Sequence, residues 1–254
     1  MSDRIYNIQR KNPLIHLLTN KVVANFTANG LLALGASPIM AKEYDEIRDI
    51  SSKADGILLN IGTLRKGDKE SYVLAGKTGN KYGIPVLLDP VGVSASKFRA
   101  NFVHRLLKEI HFTVIKGNPG EMAFLAGKDW ETKGVDSEGG DLEQLIQIAK
   151  KVSEKYETIA IISGKIDILA YQGDLQLNQR GHKFLRKATG TGCLLGAVVV
   201  AFLAANSTSL ETAFSAVTYY TEAARKAVNH PYVNGPGTFL PAFIDELSKG
   251  DKDE

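Results

Sequence analysis

The sequence predicts an α/β fold with a mostly parallel sheet, an antiparallel edge and a helical C-terminus. Three patterns predict it. Short apolar runs alternate with longer helical stretches five times over. The runs are continuous rather than alternately apolar and polar, as suits strands buried on both faces. After Ser163 the rhythm changes to a hairpin signal followed by three helices.

The elements follow in order. Thr19-Asn20 leads into a helix over 22–34, and a strand over 37–41 comes next. Helices over 45–52, 68–82, 96–109 and 142–156 alternate with strands over 56–61, 85–89, 112–116 and 158–163. Stretches 167–172 and 175–178 flank Gly173-Asp174, a hairpin turn, and 181–185 extends that antiparallel edge. The last helices cover 192–205, 210–229 and 236–247. No low-complexity linker or repeat divides the chain, so one domain over 1–254 is expected, with its core at 12–247 and a frayed polar tail at 248–254.

Composition narrows the function. Hydrophobic residues at 44% and charged residues at 23% leave enough apolar surface to offset the ordering entropy, which excludes wholesale disorder. A net charge of +3, from 31 basic and 28 acidic residues, is too balanced for a nucleic-acid binder. The short basic clusters around Lys66 and Arg186 read as solvated faces. Cys193 is the single cysteine, so there is no internal disulfide and a reducing compartment is expected. The first 12 residues carry no apolar signal core, and the longest apolar run, 194–205, is short of the roughly 20 residues that span a bilayer. A cytoplasmic protein with no membrane partner is the expectation.

In a parallel sheet ligands bind beyond the carboxyl ends of the strands. Those ends carry Lys42, then Asn60 with Gly62 and Thr63, Asp89 with Pro90, Lys116 with Asn118 and Glu121, and Ser163 with Gly164. The strongest local feature is Thr189-Gly190-Thr191-Gly192-Cys193 before a long apolar helix. Backbone N–H groups of such a turn, with the helix dipole, make an anion hole suited to a phosphate in transit. Cys193 lies in the first turn, where the dipole lowers a thiol pKa. The plainer reading is a helix capped by Thr189 or Thr191 with a small buried Cys193. Asn118 and Glu121 have the spacing of a capping box. Glu121 also falls at a strand end beside Asp89, and two carboxylates near phosphates suit a hydrated Mg²⁺. Asp89-Pro90 reads equally as the start of a β-turn. Met40, near the amides of Asn20 and Asn25, suits a small heteroaromatic ring or simply the core.

Other chemistries lack support. The five histidines show no metal-ligand spacing, and there is no nucleophile elbow or P-loop. A dinucleotide fingerprint over Gly190, Gly192 and Leu195 fails at its last position.

The ordered set of motifs resembles a known family. It comprises Thr19-Asn20, the run from Asn25 through Gly30 and Gly35 to Pro38, Asn60-Ile61-Gly62-Thr63, Leu88-Asp89-Pro90-Val91-Gly92, Gly117-Asn118-Pro119-Gly120-Glu121, Gly190-Thr191-Gly192-Cys193 and Gly235-Pro236-Gly237-Thr238-Phe239. This is similar to the hydroxyethylthiazole kinases of thiamin biosynthesis and salvage, within the ribokinase-like superfamily. The resemblance implies a three-layer α/β/α fold, transfer of the ATP γ-phosphoryl to 4-methyl-5-(2-hydroxyethyl)thiazole, Mg²⁺, and a homotrimer with active sites between subunits. It implies that Asn20, Met40, Gly62 and Gly190 contact the thiazole, and that Lys116 and Ser163 contact ATP. Asp89 and Glu121 fall on the metal side, and Cys193 stands with Gly190, Thr191 and Gly192 at the reacting centre. Position 116 is often Arg in the family, and Lys is a point charge where Arg grips bidentately. Most of the superfamily places Asp where Cys193 stands. The rival readings are a related kinase, such as one for a hydroxymethylpyrimidine, and a non-catalytic nucleotide-binding protein of the same fold.

Overall fold

The computed structural model describes residues 2–128 and 140–250. Its strands are β1 (Leu14–Leu18), β2 (Ser37–Ile39), β3 (Gly56–Asn60), β4 (Val86–Asp89), β5 (Val114–Gly117), β6 (Ile159–Ile162), β7 (Asp167–Tyr171) and β8 (Asp174–Asn178). They form one sheet in the order β2-β1-β3-β4-β5-β6-β7-β8. All neighbours from β2 to β6 run parallel, and β7 and β8 make the antiparallel edge. The chain starts in the sheet at β1, steps one way to β2, then returns to β3 on the other side. That reversal between β1 and β3 opens a crevice at their carboxyl ends.

Helices cover both faces. One face carries α3 (Tyr44–Ser51), α4 (Lys69–Tyr82), α5 (Lys97–Glu109), α6 (Pro119–Leu125) and α7 (Gly140–Tyr156). The other carries α1 (Ser2–Lys11), α2 (Ala24–Leu34), α9 (Thr191–Ala205), α10 (Leu210–Val228) and α11 (Pro236–Ser248). Successive strand residues serve opposite faces, as the pleat requires. Leu58 and Leu87 pack toward α9, whereas Ile57, Leu59, Val86 and Leu88 pack toward α4 and α5. The α9 helix is apolar on every side, because α1, α2 and α10 enclose it against the sheet.

The structure departs from sequence expectation in three places. Stretch 181–185 does not extend the edge: β8 stops at Asn178, and α8 (Phe184–Lys187) occupies the segment. Two elements, β1 and α1, lie ahead of the first expected helix. Packing therefore extends below residue 12, since Ile5 and Ile8 are fully buried. At the other end α11 runs to Ser248, and the Tyr219 hydroxyl donates to the carbonyls of Leu247 and Lys249, both at 2.8 Å. The last four residues of the expected tail lie outside the described residues. Among the described residues no helix is long and apolar enough to cross a membrane.

Glycine sets how closely α9 approaches the sheet. A Cβ at Gly56 of β3 would lie 2.4 Å from Val200 Cγ1, a separation that real contacts do not reach. Gly56→Ala is expected to destabilise the fold by about 1–3 kcal/mol, the usual cost of overpacking. Urea unfolding of the two proteins measures it, and equal midpoints would refute the close-approach argument.

Candidate active site

Three strand ends meet beneath the start of α9. Asn60 is paired in register with Asp89 across β3 and β4. Leu88 is paired with Ile115, so the next pair along is Asp89 with Lys116. The two-residue period puts all three side chains on the α9 face of the sheet. Asn60 Nδ2 donates to Asp89 Oδ2 at 2.7 Å, and Lys116 Nζ lies 3.6 Å from Asp89 Oδ1. All three are buried.

The sulfur of Cys193 closes the row from above. It accepts from Asn60 Nδ2 at 3.2 Å and from Asn20 Nδ2 at 3.4 Å. Asn20 also donates to Asn60 Oδ1 at 3.1 Å, which joins the ends of β1 and β3 at the crevice. Gly62 lies against this pair: its N–H donates to Asn60 Oδ1 at 3.0 Å, and a Cβ there would be 2.8 Å from the Asn20 amide nitrogen.

The Gly-rich turn has the expected form. Gly190 holds φ at +97°, a left-handed conformation that suits glycine, and it is the N-cap of α9. No side chain caps the helix. The Thr191 hydroxyl donates backwards, to the carbonyls of Leu185 at 2.5 Å and Ala188 at 3.2 Å, so the capping alternative does not hold for it. The first N–H groups of α9 are thus left for an anion. Tyr220, itself buried, braces the turn by donating to the Thr191 carbonyl at 2.6 Å. A Cβ at Gly192 would lie 3.8 Å from Lys116 Nζ, so the ammonium sits under the same turn.

Glu121 is oriented by its own backbone. Asn118 and Glu121 form the capping box of α6, with Asn118 Oδ1 accepting from the Glu121 N–H at 2.9 Å and Glu121 Oε2 accepting from the Asn118 N–H at 2.8 Å. Glu121 Oε1 accepts from the Gly92 N–H at 2.9 Å, which ties α6 to the loop after β4. The structural and functional readings of this motif are compatible, because each carboxylate oxygen keeps a further lone pair.

One buried cation serves three acidic groups here, and the pKa shifts follow from that. Burial pushes the Asp89 carboxyl up against the pull of Lys116 and Asn60. Burial and the Asp89 charge push Glu121 up. Burial pulls the Lys116 ammonium down, but the charges of Asp89, Cys193 and Glu121 outweigh it and hold it above its ordinary value. Burial, then Asp89, pushes the Cys193 thiol up in spite of Lys116 and the two amides. The lowering expected from the helix dipole is therefore not the governing effect, and Cys193 rests as a thiol. Two buried carboxylates whose charged forms are disfavoured welcome a further cation. Among the described residues no group of three or more His, Cys, Asp or Glu could hold a metal. Two carboxylates fit Mg²⁺ all the same, since that ion takes one or two and fills its other positions with water and phosphate oxygens.

Some predicted residues lie outside this network. Met40 is half-buried and packs on the α9-side core. Ser163 is one strand further along, its hydroxyl donating to the Gly117 carbonyl at 3.4 Å. Three contributors, Arg99, Tyr72 and His16, escaped sequence reasoning, and Lys42 was expected only as a polar strand end. The Arg99 guanidinium donates to the carbonyls of Ile61 (2.6 Å), Gly62 (2.6 Å) and Val91 (2.7 Å), clamping the loops after β3 and β4 together. Tyr72 donates to the Asn60 carbonyl at 2.9 Å. Lys42 donates to the Thr19 carbonyl. His16, fully buried in β1, lies 2.9 Å from Ser51 Oγ through Nδ1 and 3.0 Å from the Ala41 carbonyl through Nε2, and so anchors the loop that carries Met40.

Polar strand ends beneath the uncapped start of a buried helix suit a small-molecule phosphotransferase, and the sheet has a ribokinase-like architecture. A ribokinase-like superfamily protein from Enterococcus faecalis shares the fold, with a TM-score of 0.68 at 13% identity, covering 97% of this chain and 94% of that one. The hydroxyethylthiazole kinase family model matches residues 5–253, and the chain belongs to that family. It is 48% identical to hydroxyethylthiazole kinase 1 of Oceanobacillus iheyensis, over 97% of this chain and 95% of that protein. It superposes on a hydroxyethylthiazole kinase from Pyrococcus horikoshii with a TM-score of 0.87 at 34% identity, covering 97% of this chain and 91% of that one. It is an enzyme of this kind, a kinase for a thiazole alcohol.

His16 yields a pH signature. Burial lowers its pKa from 6.5, and the hydrogen bond to Ala41 only partly opposes this. The unfolded chain then binds a proton at a higher pH than the folded one. Stability is therefore retained above about pH 6.5 and lost as the pH falls through that value toward the lower folded pKa. Tm measured from pH 7.5 to 5 should fall more steeply in the wild type than in His16→Gln. Parallel curves would refute it.

Proposed function

We propose that Mg·ATP donates its γ-phosphoryl group to the hydroxyl of 4-methyl-5-(2-hydroxyethyl)thiazole at this site, in thiamin biosynthesis or salvage. One observation carries the assignment of residues: Asn20, Asn60, Asp89, Lys116 and Cys193 converge beneath the uncapped start of α9. The thiazole ring lies by Asn20, Met40, Gly62 and Gly190. ATP is held by Lys116 and Ser163. Asp89 and Glu121 hold a hydrated Mg²⁺, which when bound neutralises the polyphosphate charge. A homotrimer is the expected assembly, its neighbouring subunits covering apolar groups such as Val22 before α2 and Leu32 within it, 72% and 58% exposed. The chain's single thiol suits a reducing, cytoplasmic setting.

The alcohol oxygen attacks the γ-phosphorus. The new O–P bond forms as the bond from that phosphorus to the β-bridging oxygen breaks, and ADP leaves. Phosphoryl transfer depends chiefly on alignment and on stabilising charge on the moving group. The Gly190, Thr191 and Gly192 backbone, the α9 dipole and the Lys116 ammonium supply that charge. Cys193 sits beside the attacking oxygen. Because it rests as a thiol, its part is to orient the hydroxyl, and the alcohol's proton departs late, onto an oxygen of the transferred phosphoryl group and from there to water. A loose transition state asks little of a base.

Purified protein incubated with Mg·ATP and the thiazole alcohol should yield the phosphorylated thiazole by mass spectrometry. Glu121→Gln should abolish the product. Phosphorylation of a hydroxymethylpyrimidine instead would keep the site and move the substrate, whereas ATP binding without product from either would favour a non-catalytic role. Cys193→Ser should keep measurable activity, and Cys193→Asp should not abolish it. Complete inactivity of both variants, folded and with ATP bound, would sink the orienting role.

A further inference from the structure

Asn60 does more than end a strand. It is fully buried, and all four hydrogen-bonding places of its amide are filled. Nδ2 donates to Asp89 Oδ2 at 2.7 Å and to Cys193 Sγ at 3.2 Å. Oδ1 accepts from Asn20 Nδ2 at 3.1 Å and from the Gly62 N–H at 3.0 Å. The orientation of the amide is forced. The Gly62 N–H can only donate, so Oδ1 faces it, and Nδ2 is left for the carboxylate and the sulfur. The Asn60 carbonyl is held in turn by Tyr72, and the Gly62 carbonyl by Arg99.

The consequence falls on the sulfur. Two amide donors, from Asn60 and Asn20, engage Cys193 Sγ from the strand-end side. On that side the sulfur is an acceptor, held by two planar amides. The same planar amide fixes the Asp89 carboxylate. A residue with only a folding role would spend its donors on backbone, yet both N–H groups of Asn60 go to groups that carry the chemistry.

We propose that Asn60 is a positioning residue for the phosphoryl transfer, locking the Cys193 sulfur, the Asp89 carboxylate and the Gly62 backbone into one frame against which the alcohol is aligned. This rests on the placement of Cys193 beside the attacking oxygen. Misplacement by about 1 Å is enough to cost about 100-fold in rate.

Asn60→Asp tests it. The variant keeps the size of the side chain and the acceptor for Asn20 and Gly62, and it leaves at most one proton where there were two donors. The expected result is a kcat lower by about 100-fold, with KM for the thiazole and for Mg·ATP within about threefold of wild type. Cys193 is the chain's only cysteine, so iodoacetamide alkylation followed by mass spectrometry reads this sulfur alone. In EDTA, without substrates, alkylation should slow by about tenfold, the loss of a hydrogen bond to a charged sulfur. Asn60→Ala, which is smaller and removes both donors, should give the same split should Asn60→Asp fail to fold. A kcat within about threefold of wild type, or an unchanged alkylation rate, would overturn the proposal. So would a wild-type kcat in Cys193→Ala, because the sulfur would then not lie at the reaction. Were the wild type to phosphorylate no thiazole, the functional assignment would fall, and the alkylation rates would still decide whether Asn60 holds the sulfur.

Discussion

Lys116 is an ammonium buried to 3% exposure, with the Asp89 carboxylate 3.6 Å from it. Removing one member of a buried pair costs about 3–5 kcal/mol, because the partner's charge is left uncompensated. The pair therefore dictates much around it. Asp89 needs a second donor, and Asn60 supplies it. The ammonium needs further acceptors or anions, and it lies under a helix start that can receive phosphate. The start of α9 lies over the lysine: a Cβ at Gly192 would be 3.8 Å from its Nζ and one at Gly196 3.8 Å from its Cδ, both ordinary contact distances. Stability and function share one arrangement here. A sheet end that could have been closed with leucine is instead charged, buried and one cation short of balance.

That imbalance gives the site its character. Two carboxylates, a thiol and one ammonium share a small, largely buried volume, so each acid is harder to ionise than in water. The same excess of acid holds the lysine protonated. Such a site resists binding an anion alone and favours an anion that arrives with a cation. Nucleotide triphosphate with its metal has that composition. Lysine suits the place better than arginine would at this separation, since a point charge needs no fork of acceptors.

Much of this was legible in the sequence, where the signal was local. Apolar runs located β3 to β6, and polar residues after them located the site. The capping box at Asn118 and Glu121 appeared as its spacing implied. The turn at Gly190 did too, although its hydroxyl turned out to donate backwards. What escaped was non-local. The β1 segment, Leu14–Leu18, has a histidine at its centre that reads as polar until Ser51 and Ala41 are seen to satisfy it. The α1 helix has only Ile5 and Ile8 as buried anchors, and it forms because α9 offers them a surface. Arg99 could not be found from sequence, because its partners are backbone carbonyls and carry no residue signal. Asn60 was visible as a strand-end amide. Its importance emerged only once the register paired it with Asp89.

The hydrogen bond from Asn20 to Cys193 joins positions 173 residues apart. A ribosome adds about 5–20 residues each second, so roughly 9–35 s separate the synthesis of the two ends of that bond. During that interval β2 to β8 are added to β1, and only at its end does the helix that shields much of one face begin. The nascent chain thus carries a broad greasy surface with a charged rim, the kind of intermediate that holding chaperones engage. A chain cut short before α9 would possess all eight strands of the sheet and none of the pocket's roof, so partial products of synthesis would be sticky and inert.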